Sequence, residues 1–153
     1  MSKIFAQRYH DASIGHRVCG HETVCRHLHG HNYRFHFNVE AQELDSIGRV
    51  VDFSVIKSTL CQWLEDWWDH KFLLWEQDPM LELLLDATRS AIASKVRHDL
   101  RDSIVTVPFN PTAENMGKYL VDVIGPNILP KGLVLRSVKI EETRKCSAEI
   151  WSD

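Results

Sequence analysis

The feature that most constrains this chain is an alternation: Tyr33, Phe35, Phe37 and Val39 interleave with Asn32, Arg34, His36 and Asn38. Strict period two belongs to a β-strand with one face in a core and one in a polar environment. Immediately before it stand Cys25, His27, and His29-Gly30-His31. If the strand begins near His29, alternate residues share a face, so His29 and His31 project together. Two imidazoles about 6–7 Å apart along a strand can reach one metal ion. Gly30 between them leaves the opposite face bare and lets a neighbouring backbone approach.

Nine histidines among 153 residues is anomalous, and seven of them fall between His10 and His36. A catalytic zinc takes three protein ligands and keeps a fourth position open. His16 is the third ligand preferred here, while His10, His21, His27, His36 and His98 are read as ordinary surface or capping histidines. Cys25 admits three readings: structural thiol, fourth ligand, or base. As a ligand it would close the site; Cys19, Cys25, His29 and His31 could form such a set, although the gap between the cysteines exceeds usual zinc-finger spacing. Near a metal and several imidazoles its lowered pKa would suit a base. Spacing alone leaves these open. Asp69-His70 pairs a carboxylate with an imidazole it can hold, against the plainer reading of a histidine at a helix C-terminus. Glu142 could bind the amidine-like edge of a heterocycle.

A net charge of −3 without any basic block argues against nucleic-acid or membrane surfaces. No apolar run is long enough to span a bilayer, and the N-terminus lacks a signal-peptide pattern. A cytoplasmic protein is expected, with Cys19, Cys25, Cys61 and Cys146 as free thiols. The length fits a single domain, residues 1–153.

Weak strand character covers residues 3–10, and residues 11–30 read as a loop carrying chemistry. The clear strand is 31–43, and Arg49-Val50-Val51 a short extended piece. Ile56, Leu60, Trp63, Leu64 and Trp67 mark one helical face, started by Asp52 or Ser54. Asp78-Pro79 starts a second helix that Leu81, Leu84, Leu85, Ile92, Val96 and Leu100 carry to about residue 100. Ile104–Val107 is strand-like. Asn110-Pro111-Thr112 opens a helix with Met116, Tyr119, Leu120, Val123 and Ile124 on one face, ended by Gly125-Pro126. Residues 133–142 and 148–151 read as strands. Strands and helices that do not strictly alternate indicate an α+β fold with an antiparallel sheet.

Seven short motifs then occur in order: His16-Arg17; Cys25 through His29-Gly30-His31; Asn32-Tyr33; Val51-Asp52-Phe53 leading to Ile56-Lys57; Asp69-His70; Asn110-Pro111-Thr112-Ala113-Glu114; and Glu142-Thr143. Together they resemble the family of 6-pyruvoyltetrahydropterin and 6-carboxytetrahydropterin synthases. The resemblance implies the tunnelling fold, an antiparallel sheet with helices on one face, whose subunits join into a barrel, usually a homohexamer. It implies one Zn²⁺ per chain on His16, His29 and His31. It makes Cys25 a proton acceptor, Asp69 and His70 a proton relay, Glu142 the pterin anchor, and Thr112 and Thr143 substrate-binding. The implied substrate is 7,8-dihydroneopterin triphosphate. One branch cleaves its side chain to give 6-carboxytetrahydropterin, acetaldehyde and triphosphate, an early step toward 7-deazaguanine products such as queuosine. The other eliminates triphosphate and leaves a pyruvoyl side chain. A folate-serving relative carries glutamate where this chain has Leu28. The compact Cys-x-x-x-His-Gly-His spacing favours the carboxy branch. A zinc-stabilised binding module is the competing class. Two departures stand out: the asparagine that commonly follows Asp-His-x-x-Leu is absent, and the segment from Trp75 to Val107 is long.

Overall fold

The computed structural model describes residues 2–89 and 96–153. Six strands form one sheet: β1 (Ala6–His16), β2 (His29–Ala41), β3 (Lys71–Trp75), β4 (Ile104–Val107), β5 (Leu133–Glu141) and β6 (Ser147–Trp151), in the order β4-β3-β1-β2-β5-β6. The antiparallel part, β1-β2-β5-β6, is as the patterning indicates. At the other end β3 runs parallel to β1, and β4 parallel to β3, so the sheet is mixed. Parallel neighbours need a long crossover, and the long segment after Trp75 supplies one. It holds helix α2 (Met80–Arg89) and helix α3 (Arg97–Ser103). One helix was expected over 79–100; Ile92, on which that expectation partly rests, lies outside the described residues.

Helix α1 comprises Phe53–Ile56, a π-helical turn Lys57–Cys61, and Gln62–Trp67. The Asp52 side chain caps it by accepting from the Ser54 N–H (2.8 Å), as its sequence signal suggests. Helix α4 comprises Ala113–Tyr119, a π-helical turn Leu120–Ile124, and Gly125–Ile128. Thr112 caps it through Oγ1, 3.1 Å from the Asn115 N–H. Gly125-Pro126 does not end this helix: the chain runs on from the π-helical turn through Pro126 to Ile128. The buried stripe of α4 uses Val121, whereas Val123 is exposed.

Both long helices cover one face of the sheet. There Ala12, Ile14, Tyr33, Phe35, Phe37 and Val39 meet Ile56, Leu60, Leu64, Met116 and Leu120. Trp68 sits at the centre, its ring centroid 6.4 Å from Phe35, 5.0 Å from Trp63 and 6.2 Å from Tyr119.

Three expectations give way. Residues 11–16 are not loop but the second half of β1, because Ala12, Ile14 and His16 alternate onto the core face. The strand drawn at 31–43 begins at His29 and ends at Ala41. Arg49-Val50-Val51 is not in the sheet; it precedes α1, with Val50 and Val51 packed against the core. Strand β3 carried no sequence signal, since its run Phe72-Leu73-Leu74 is too short to separate strand from helix.

Candidate metal centre and its flanking cavities

The β1–β2 register places His16 directly opposite His29, and Ile14 opposite His31. All three imidazoles therefore leave the sheet on the helix-covered side, at the end of the core. One ring nitrogen from each lies within 4.8 Å of the others. His16 is fully buried, and the other two are half-buried.

Backbone carbonyls fix the tautomers. His16 Nδ1–H donates to the Pro111 carbonyl (2.7 Å), and His29 Nδ1–H donates to the His27 carbonyl (2.7 Å). With both protons on Nδ1, the two Nε2 lone pairs face each other at 3.1 Å. Two acceptors that close have nothing to share unless a cation lies between them. Burial depresses the pKa of both His16 and His31, keeping them neutral and able to ligate. Three imidazoles, two oriented by carbonyls behind them, are the donor set of an open catalytic metal site. Among the described residues no cysteine joins this group, so the Cys19/Cys25/His29/His31 set is not assembled.

Gly15 and Gly30 are paired across the strands directly beside the ligands. A Cβ on Gly30 would lie 3.1 Å from the Ile14 carbonyl oxygen; one on Gly15 would meet the Phe72 ring at 2.5 Å. The glycine between the histidines thus permits a close approach of backbone.

Two further groups complete the floor of the site. The Tyr33 hydroxyl lies 3.2 Å from His16 Nε2 and donates to Glu142 Oε1 at 3.3 Å. Burial and the facing Glu142 carboxylate raise the Tyr33 pKa strongly, so it stays a neutral donor. Glu142 Oε1 is also 3.5 Å from His16 Nε2 and 3.7 Å from His31 Nε2. Tyr33 was read only as the start of an aromatic strand. Its parity with His29 and His31 was the available signal. The Pro111 and His27 carbonyls left no signal, because any residue carries one.

The remaining candidate residues divide between two cavities. Cys25, Thr112 and Glu142 line one of about 200 Å³, together with His21 and Cys146. Asp69, His70 and Thr143 line another of about 630 Å³, with Asn32, Arg34 and Arg144. Glu142 and Thr143 separate because they are successive residues leaving β5. The Asp69 carboxylate takes the place of a ladder carbonyl: Oδ1 accepts the Ser13 N–H (2.8 Å), while the His70 N–H donates to the Ser13 carbonyl (2.7 Å). Oδ2 is 3.0 Å from His70 Nδ1. His70 has φ of +58°, a conformation unusual outside glycine but accessible to histidine. It turns the chain from α1 into β3 and leaves the imidazole 81% exposed. The rim of this pair is polar and open.

Comparisons with known proteins identify the family. The family model described as 6-pyruvoyl tetrahydropterin synthase matches residues 6–153. The chain belongs to this family. It is 30% identical over 141 residues to the 6-carboxy-5,6,7,8-tetrahydropterin synthase of Rickettsia typhi, covering 92% of this chain and 94% of the relative. It is 36% identical over 136 residues to a probable 6-carboxy-5,6,7,8-tetrahydropterin synthase of Halobacterium salinarum, covering 89% and 79%. Among solved structures, an uncharacterised protein of Wolinella succinogenes superposes with a TM-score of 0.84 at 26% identity, covering 100% of both chains. Caenorhabditis elegans 6-pyruvoyl tetrahydropterin synthase superposes at 0.66 with 19% identity, covering 100% of this chain and 98% of that one. A sheet with helices on one face is thus the tunnelling fold of this synthase family, and the chain is a tetrahydropterin-synthase-type enzyme.

Proposed function

We propose that this protein is a zinc-dependent lyase converting 7,8-dihydroneopterin triphosphate to 6-carboxy-5,6,7,8-tetrahydropterin, with release of acetaldehyde and triphosphate. The observation that carries this reading is the cavity in which Cys25 and Glu142 meet, with Glu142 reaching two of the three imidazoles, His16 and His31. The names of the 30–36% identical relatives favour the carboxy branch.

His16, His29 and His31 would hold the ion, which when bound supplies a Lewis acid for the side-chain hydroxyls of the substrate. Cys25 as thiolate accepts the proton released from the side chain. Glu142 accepts paired N–H donors of the pterin ring, and the Thr112 hydroxyl is free to donate beside it while its lone pair caps α4. The Asp69 carboxylate orients the His70 imidazole, which carries protons to and from the ring.

A cavity of about 200 Å³ is smaller than the ~300–1,000 Å³ that ligand sites usually occupy. A second copy would enlarge it. On this reading the chain works as a homo-oligomer, expected to be a hexamer, in which one protomer's Asp69–His70 pair and Thr143 serve a site built around another's Cys25. This step belongs to a sequence leading to 7-deazaguanine products in the cytoplasm.

The test is to incubate zinc-loaded protein with 7,8-dihydroneopterin triphosphate and identify products by mass spectrometry. Carboxytetrahydropterin with acetaldehyde is expected. A pyruvoyl product would assign the sister reaction, and no turnover with metal bound would overturn both.

A further inference from the structure

We propose that Asp78, at the start of the additional helix α2, is a positioning residue that fixes the Cys25 loop through Arg17. The inference rests on the reading of Cys25 as proton acceptor. Arg17 follows the candidate ligand His16, and its guanidinium grips Asp78 with two prongs: Nε to Oδ2 at 2.6 Å and Nη2 to Oδ1 at 3.0 Å. The third nitrogen, Nη1, donates to the Arg26 carbonyl (3.0 Å), on the residue after Cys25. The Asp78 side chain is 1% exposed. Its Oδ1 also accepts the Met80 N–H (2.9 Å), capping α2.

The loop has two further ties. The Val18 N–H donates to the Cys25 carbonyl (2.8 Å), and the Asn110 amide exchanges hydrogen bonds with the Cys19 backbone at 3.0 and 2.9 Å. Those ties hold the loop's beginning and its backbone turn. The guanidinium links Arg26, on the far side of Cys25, to the start of α2 through a bidentate pair with fixed geometry. The segment from Trp75 to Val107 therefore does more than lengthen the crossover: its first residues clasp the loop that presents the thiol.

Asp78→Asn retains an oxygen to cap α2 but offers Arg17 an amide in place of a carboxylate. In the metal-loaded full chain, two quantities are read: the rate at which iodoacetamide alkylates Cys25, followed by peptide mass spectrometry, and kcat and KM for the pterin substrate. Misplacing a reacting group by about 1 Å costs up to ~100-fold, so kcat should fall between about tenfold and a hundredfold with little change in KM. Metal content should hold, and Cys25 should alkylate several-fold faster. Unchanged alkylation overturns the clasp, and unchanged kcat overturns its role in positioning. If Asp78→Asn does not fold, Arg17→Lys applies the same test, because lysine keeps the charge but cannot hold Asp78 and Arg26 together. If the unaltered chain fails to turn over the pterin, the proposed function falls, while the alkylation rates still decide the clasp.

Discussion

Gly30→Ala tests how tightly the metal centre depends on backbone approach between β1 and β2. The new Cβ would sit 3.1 Å from the Ile14 carbonyl oxygen and 3.4 Å from Gly15 Cα. Both are backbone atoms in a ladder, so neither can rotate away as a side chain would. Overpacking of this kind costs about 1–3 kcal/mol. The loss of chain freedom in the unfolded state returns about 0.4–1 kcal/mol, leaving a net destabilisation of roughly 0–2.6 kcal/mol. The strain has a specific outlet. Relief by a few tenths of an ångström moves His29 and His31, which flank Gly30, relative to His16 on the other strand. If about 1.4 kcal/mol of it appears in the metal site, affinity falls about tenfold. Competition with a chelator of known affinity measures this, alongside thermal unfolding of the metal-free protein. Gly117→Ala is the control. It too is crowded, but against the Ile150 side chain at 2.2 Å, between α4 and β6 rather than in the strands that carry the histidines, so it should leave metal affinity alone. Equal metal affinity for Gly30→Ala and the unaltered protein would refute the reasoning.

Cys25→Ala should keep its metal and lose turnover, as measured by metal analysis and product formation; loss of the metal would make Cys25 a ligand. Chelation should yield a folded, inactive apoprotein by circular dichroism, because the core around Trp68 and Phe35 is complete without the histidines; a structural zinc module would unfold. Trp68→Ala should cost about 3–5 kcal/mol in denaturant unfolding, since the ring is 2% exposed and touches both long helices and the sheet. Asp52 is held below the ordinary 3.8 by hydrogen bonds from the Ser54 side chain and N–H, with Arg49 helping. A depressed carboxylate contributes stability that is present above the unfolded pKa and lost as pH falls through the folded one. Asp52→Asn, which still caps, should flatten the decline of stability below about pH 4; an unaltered acid limb would show that this cap does not titrate.

Much of the site was readable from local pattern. Period two over 32–39 fixed which face Tyr33 and the two histidines share, because strand geometry sets that without reference to the rest of the molecule. The Asp52 and Thr112 caps were readable for the same reason, since a cap acts within one helical turn. Other facts depend on distant partners. His16, preferred as third ligand from the sequence, meets the other two because the register sets it opposite His29, and that pairing turned residues 11–16 from apparent loop into strand. The tautomers depend on carbonyls 95 residues away at Pro111 and two residues away at His27. The parallel placement of β3 and β4 follows from a crossover whose path no local signal describes. The division of Cys25 and Glu142 from Asp69 and His70 arises because the sheet has two faces. Sequence periodicity therefore determined which side chains travel together, and only the pairing of strands decided which of those groups meet.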